Sequence, residues 1–168
     1  MGSRYFDAVL HLDKMNLVRR MRFYETARDL GVYHGQMPIL FYLLDHNGCT
    51  QKDIAEELMV TPASIAISTK RMQKSGLIDK QVRESNLREN IVTITDKGKK
   101  LVEEWREAMK ALDAKQFSGF SDDEIDLLVS MIDRLTINLE GDSDTGRDRM
   151  RELKKKVSEA ERKMSSGQ

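Results

Sequence analysis

Residues 50–95 read TQKDIAEELMVTPASIAISTKRMQKSGLIDKQVRESNLRENIVTIT. Thr50-Gln51-Lys52-Asp53 has the form of a capping box with Asp in the usual Glu place, so a hydroxyl and a carboxylate each satisfy a free N–H of the first turn. The helix it opens, QKDIAEELM, shows Ile54, Ala55 and Leu58 as its inner face. Thr61 is a good N-cap, and Pro62 at the first helical position forfeits no bond, because that N–H has no partner in a helix. This second helix runs to Ser75, where Gly76 supplies a stop. LIDKQV (77–82) and IVTIT (91–95) follow, short and with β-branched enrichment in the second, and read as strands. RESNLREN (83–90) lies between them as a charged loop, which makes the pair a hairpin.

Working outward, apolar residues recur at helical spacing from Tyr5 to Leu30: Phe6, Val9, Leu10, Leu17, Val18, Met21, Tyr24 and Ala27. That predicts one long helix. Gly31 and Gly35 break it. QMPILFYLLDH (36–46) is apolar almost all round, which predicts a buried helix, and Asn47-Gly48 ends it. On the other side, Thr95 caps a helix over 96–116. Ser121-Asp122-Asp123-Glu124 is a second capping box, opening a helix to about Glu140. In that helix Ile125, Leu128, Ile132, Leu135 and Leu139 step by three and four, a seam that needs a partner. EGDSDTG (140–146) reads as a linker. Met150, Leu153, Val157, Ala160 and Met164 then form a thin stripe on a terminal helix that is marginal unless it packs on something.

The chain has 168 residues, 39% of them hydrophobic, 33% charged and only two of them Pro, which favours a helical, soluble protein. No apolar run approaches the ~20 residues of a bilayer span, and no export signal is visible. One Cys forms no internal disulfide, so a reducing cytoplasm is the expected home. The net charge is zero, yet its distribution is uneven. Residues 50–100 sum to +3 and 147–168 to +4, whereas 101–146 sum to −8. A polyanion is expected to meet the middle of the chain or the tail.

Helix, tight break, second helix and hairpin is the order of a winged helix-turn-helix, in which the second helix lies in the major groove of DNA and the hairpin reaches a neighbouring groove or the backbone. On a wheel of about 100° per residue, Ile65, Thr69 and Met72 face the core. Ala63, Ile67, Lys70 and Lys74 fall opposite, flanked by Ser64 and Arg71. Small residues let the helix sink toward base edges, and the cations reach phosphates. Ile67 with Ala63 is placed to touch thymine methyl groups; the alternative is packing under the wing. Lys52 and Thr61, at the two helix starts, and Arg83, Asn86 and Arg88, on the wing, complete the candidate DNA-binding set. The arginines suit a narrow minor groove.

The stretch 50–104, with Gly-Leu-Ile at 76–78, Arg88 on the wing and Thr-Asp-Lys-Gly at 95–98, resembles the MarR (multiple antibiotic resistance regulator) family of bacterial transcription regulators. The likeness covers about 1–140. It implies a mainly α protein with a small β-hairpin wing: residues 1–35 and 96–140 as a helical dimerisation region, 36–95 as the DNA-binding lobe, and 141–168 as a linker and basic helix without a counterpart. It further implies a homodimer joined by the first and last two helices, a palindromic operator, and often a pocket for a small-molecule effector. Phe6, Val9 and Leu10 join the Ile125–Leu139 seam as dimerisation candidates. Two departures stand out. Asn86 replaces an Asp that usually bridges the wing Arg, and Ala66-Ile67 replaces residues that are often polar or basic.

Met15, Tyr42, Trp105 and Met109 are candidates for an effector pocket, with ordinary core as the alternative. Cys49 is a weak redox candidate with one basic neighbour in sequence, Lys52. His11, His34, His46 and Cys49 lack paired metal-ligand spacing, so no metal site is assigned. No cofactor motif or nucleophile elbow is present, and no enzyme is expected. The expected function is a sequence-specific regulator, in the simplest case a repressor relieved by a ligand. The alternative is a protein-interaction module that has kept the fold and lost DNA binding.

Overall fold

Helix ends written into the sequence set the order of the elements. The computed structural model describes residues 3–33, 35–83 and 86–166, without the side chains of 82–83, 86–89, 147, 158 and 161–166. The chain forms two units, Met1–Gln116 and Phe117–Gln168. The first runs α1 (Arg4–Asp29), α2 (Gln36–Asp45), β1 (Cys49–Thr50), α3 (Gln51–Leu58), α4 (Pro62–Lys74), β2 (Ile78–Arg83), β3 (Asn86–Ile94) and α5 (Asp96–Gln116). The second holds α6 (Asp122–Glu140) and α7 (Arg147–Ser166).

The capping chemistry forms as read. The Thr50 N–H donates to Asp53 Oδ2 at 2.8 Å, and the Asp53 N–H donates to Thr50 Oγ1 at 3.2 Å. Thr61 Oγ1 accepts from the Ser64 N–H at 3.2 Å, and Pro62 opens α4. Gly76, at φ +72°, ends it. The core is one cluster centred on α2, where Ile39, Leu40 and Leu43 meet Ile54, Met72, Ile78, Val92 and Val102, all nearly or wholly out of solvent. Burial of this apolar surface is what fixes α3 and α4 against the rest.

The sheet is antiparallel in the order β1-β3-β2. Two of its features were not legible in the sequence. The strand β1 is a two-residue rung, Cys49 opposite Val92 and Thr50 opposite Ile91, too short to show a pattern. The polar stretch 83–90, expected as a loop, is ladder on both sides of residues 84–85, with Arg83 opposite Asn86 and a register irregularity after Val82. A two-stranded ribbon needs hydrogen-bond partners rather than an apolar face, so alternation does not report it.

Where the wing rejoins α5 the packing is close. A Cβ on Gly98 would lie 2.3 Å from the Leu77 carbonyl oxygen and 2.8 Å from Ile94 Cγ1. Thr95 Oγ1 accepts from the Gly98 N–H at 3.1 Å and donates to the Gly76 carbonyl at 2.7 Å. The Thr-Asp-Lys-Gly sequence thus clamps the end of α4 to the start of α5. Along α5, Trp105 meets the edge of Phe23 on α1 (centroids 4.9 Å, 82°), and Arg19 pairs with Asp113 at 2.8 Å.

In the second unit, Ser121 and Glu124 form the expected reciprocal box. Gly141, at φ +78°, stops α6. Arg149 on α7 gathers Glu140 (2.6 Å), Asp142 (3.2 Å) and Glu152 (2.8 Å), and Lys156 bridges Glu140 and Glu152. This ionic knot ties α7 back to the end of α6.

Candidate nucleic-acid interface

The helix α4 is pinned from below. Ile65 and Met72 are buried, and the buried Thr69 hydroxyl donates to the Ile65 carbonyl at 2.7 Å while accepting from Gln51 Nε2. Gln51 begins α3, so this bond sets the two helices of the motif relative to each other. The opposite face carries Thr61, Ala63, Ser64, Ile67, Lys70, Arg71 and Lys74, all exposed. Ile67 is 57% exposed on this outward face. The Thr61 and Ser64 hydroxyls lie 2.9 Å apart at the N-terminal end. Lys52 stands on α3 within 3.7 Å of Glu56, both largely exposed, so its charge is only weakly offset.

Lys80 was missed by the sequence reading. It lies on β2 two residues after the buried Ile78, and the period of two puts both on the face turned toward α4. Its ammonium is held below the ordinary lysine value, first by partial burial and then by the charge of Lys70. Two cations thus share one neighbourhood between helix and wing, an arrangement that an anion relieves. Alternation starting at Ile78 was the signal that would have found it. The backbone places Arg83 opposite Asn86, with Arg88 further along β3; the side chains of these three lie outside the described residues.

The four effector candidates do not converge. Trp105 is buried and lines an apolar cavity of about 480 Å³ with Phe23, Tyr24, Met37 and Pro38. Met15 lines a separate cavity with Val18 and Leu112, and Met109 another with Leu17 and Phe23. Tyr42 stacks on His46 at 4.4 Å instead. The sequence gives helical spacing, but the neighbours across each helix are decided by packing.

Cys49 is half-buried, and burial, followed by the nearby Asp53 carboxylate, pushes its thiol up to about 11. At neutral pH it carries its proton and lacks the thiolate that redox chemistry needs. His11 bonds the Asp7 carbonyl of its own helix. His34 lies outside the described residues. Of the dimerisation candidates, Phe6, Val9 and Leu10 are exposed on α1, Ile125 and Leu128 are half-buried, and Ile132, Leu135 and Leu139 are exposed on α6, Leu139 at 91%. Neither α1 nor α6 has a buried residue.

Residues 30–89 match the sequence model of the MarR family. The helix-turn-helix-type transcriptional regulator YybA of Bacillus subtilis (strain 168) is 27% identical over 115 residues, 68% of this chain and 77% of its own length. The regulator BilQ of Clostridium symbiosum (strain WAL-14163) is 25% identical over 105 residues, 62% of this chain and 73% of its own. Among solved structures, the YusO protein from Bacillus subtilis matches with a TM-score of 0.73 at 22% identity, over 81% of this chain and 98% of that one. A point mutant of S. aureus MepR bound to an oligodeoxyribonucleotide matches at 0.65 and 21%, over 79% and 98%.

Proposed function

We propose that the chain is a MarR-family winged-helix transcription regulator, and that it binds double-stranded DNA sequence-specifically as a homodimer on a palindromic operator. In the simplest form it is a cytoplasmic repressor released by a small molecule. The observation that carries this reading is the outward face of α4, where Ala63, Ser64, Ile67, Lys70, Arg71 and Lys74 stand in solvent above an anchored inner face. Small side chains at its N-terminal end admit close approach to bases, and the cations toward its C-terminal end fit phosphates. Lys80 extends the cationic track toward the wing. The nucleic acid held by the MepR relative supports the same use of the fold. The exposed apolar faces of α1 and α6 supply the argument for two-fold pairing, which spaces two recognition helices about one turn apart on a duplex. The apolar cavity beside Trp105 is the candidate effector site.

Selection of bound fragments from a random duplex library tests the reading. It should return a palindrome, and affinity should fall with salt at a log–log slope of about −0.9 per phosphate contacted. Charge reversal at Lys70 and Arg71 should abolish binding to that palindrome. Ile67→Ala should weaken preference at particular thymines. One observation favours the interaction-module alternative, namely a large exposed Ile on a chain of zero net charge. Retained partner capture after the Lys70 and Arg71 reversals, with no duplex enriched by selection, would select that alternative.

A further inference from the structure

The ionic knot fastens α7 at the end of α6. Arg149 and Lys156 both reach Glu140, at 2.6 and 3.4 Å. They stand about 10 Å apart along the axis of α7. Were α7 laid back along its own α6, with Arg149 opposite Glu140, Lys156 would sit opposite Asp133 instead. The two helices therefore cross at the last turn of α6, and neither covers the apolar side of the other. On α6, Ile132, Leu135 and Leu139 stay exposed. On α7, Met150 and Val157 are exposed and Leu153 is half-buried. A polar helix with a bare apolar stripe is marginal by itself and needs a surface.

The borders of the two stripes differ in sign. On a wheel, Asp122, Asp126, Asp133 and Glu140 fall within about 40° of one another along one edge of the α6 seam. The first three make no ion pair among the described residues. In all, α6 carries six acids and one cation, Arg134. The α7 stripe is bordered by Arg149 and Lys156 on one side and by Lys154 on the other. The first two are held in the knot; Lys154 is exposed and makes no ion pair among the described residues. A second α7 would set cation against cation there, and α1, with six cations to four acids, offers no complement. The α6 of another copy fits in both polarity and charge. Seen from N- to C-terminus, Lys154 lies on the same side of its stripe as the acids lie on theirs. Antiparallel helices bring such same-handed borders together.

We propose that α7 of one copy lies antiparallel on α6 of a second copy, with Met150, Leu153 and Val157 on the Ile132–Leu139 seam and Lys154 beside the Asp126–Asp133 border. The arm rests on the homodimer part of the reading above and not on DNA binding. The knot holds α7 off its own α6, so that the stripe is offered outward. Two-fold pairing makes the contact twice.

The test uses the full chain with Cys49→Ser, so that each copy carries one introduced thiol. A tagged Lys154→Cys copy is mixed with untagged Asp126→Cys and, separately, with untagged Asp133→Cys, and treated with a short bismaleimide. At least one mixture should give a covalent pair of tagged and untagged chains. Lys155→Cys, on the far side of α7 from the stripe, should give little. No mixed pair from either aspartate position, or an equal yield from Lys155→Cys, would overturn the proposal. In sedimentation, Lys154→Glu should raise the dimer dissociation constant about tenfold, because the change acts twice per dimer. Adding Asp126→Lys and Asp133→Lys to that chain should restore it. An unchanged constant in Lys154→Glu, or no recovery in the charge-swapped chain, would overturn the arm. An unchanged constant with weaker binding to a selected duplex would overturn it in favour of a phosphate-contacting helix. Wild type that pairs without the mixed cross-link removes the arm and leaves the homodimer standing; wild type that stays single removes both. A cross-linked dimer that enriches no duplex supports the arm and overturns the regulator reading.

Discussion

Cys49 shows how one position changes meaning once its surroundings are known. In sequence it is a lone thiol near a lysine. In the fold it is an edge rung opposite Val92, half-buried and near Asp53, and its thiol is pushed up to about 11. Because the thiolate is the reacting form, alkylation by iodoacetamide at neutral pH should be far slower than for the unfolded chain, and its rate should keep rising with pH to about 11. A rate profile that levels off near the ordinary thiol value would contradict this environment. Lys80 makes the same point from the other side. Lys70 is ten positions away in sequence, and only the fold lets its charge help hold the Lys80 ammonium below the ordinary value, after partial burial.

At the scale of elements, the junctions are more informative than the helices. Gly98 sits in the first turn of α5, where a general propensity scale favours Ala by up to ~1 kcal/mol. The Leu77 carbonyl 2.3 Å from a would-be Cβ reverses that preference, since backbone has to move. Gly98→Ala should therefore lower stability by about 1–3 kcal/mol net, the usual cost of overpacking; a denaturant midpoint equal to or above wild type would refute the contact. The start of α6 offers a pH test. Glu124 is held below the ordinary carboxylate value by hydrogen bonds first from the Ser121 N–H and then from its hydroxyl. A depressed folded-state value adds stability above the unfolded value and loses it as pH falls through the folded one. Glu124→Gln should be the less stable variant at neutral pH, with the gap closing in acid. A gap that persists there would place the effect elsewhere.

For the whole molecule, the apolar surfaces of α1 and α6 dominate. Tyr5, Phe6 and Leu17 on α1 and, in the other unit, Leu139 on α6 are all more than half exposed, and exposed apolar helix faces mark association surfaces. Dilution followed by sedimentation should show a two-chain species, and Phe6→Glu with Leu139→Glu should shift it to one chain. Wild type that stays single at micromolar concentration would remove the two-fold premise and with it the operator spacing. The charge distribution belongs to this scale too. The −8 of residues 101–146 comes mostly from α6 and the short segment after it, away in sequence from the cationic helix, so zero net charge does not forbid a polyanion partner.

Helix starts, helix stops and the inner and outer faces of α4 were determined by local chemistry: Thr50 with Asp53, Thr61 with Pro62, Gly76, and the spacing of Ile65, Thr69 and Met72. Each depends on residues within one or two turns of one another, so the sequence order contains all the partners. The rung at Cys49, the extended wing, the Lys70–Lys80 neighbourhood, the close approach at Gly98 and the separation of Trp105, Met15 and Met109 into different cavities were decided by tertiary structure. In each of these the deciding partner comes from another element, brought close by burial of the α2-centred core, and no local pattern encodes that distance.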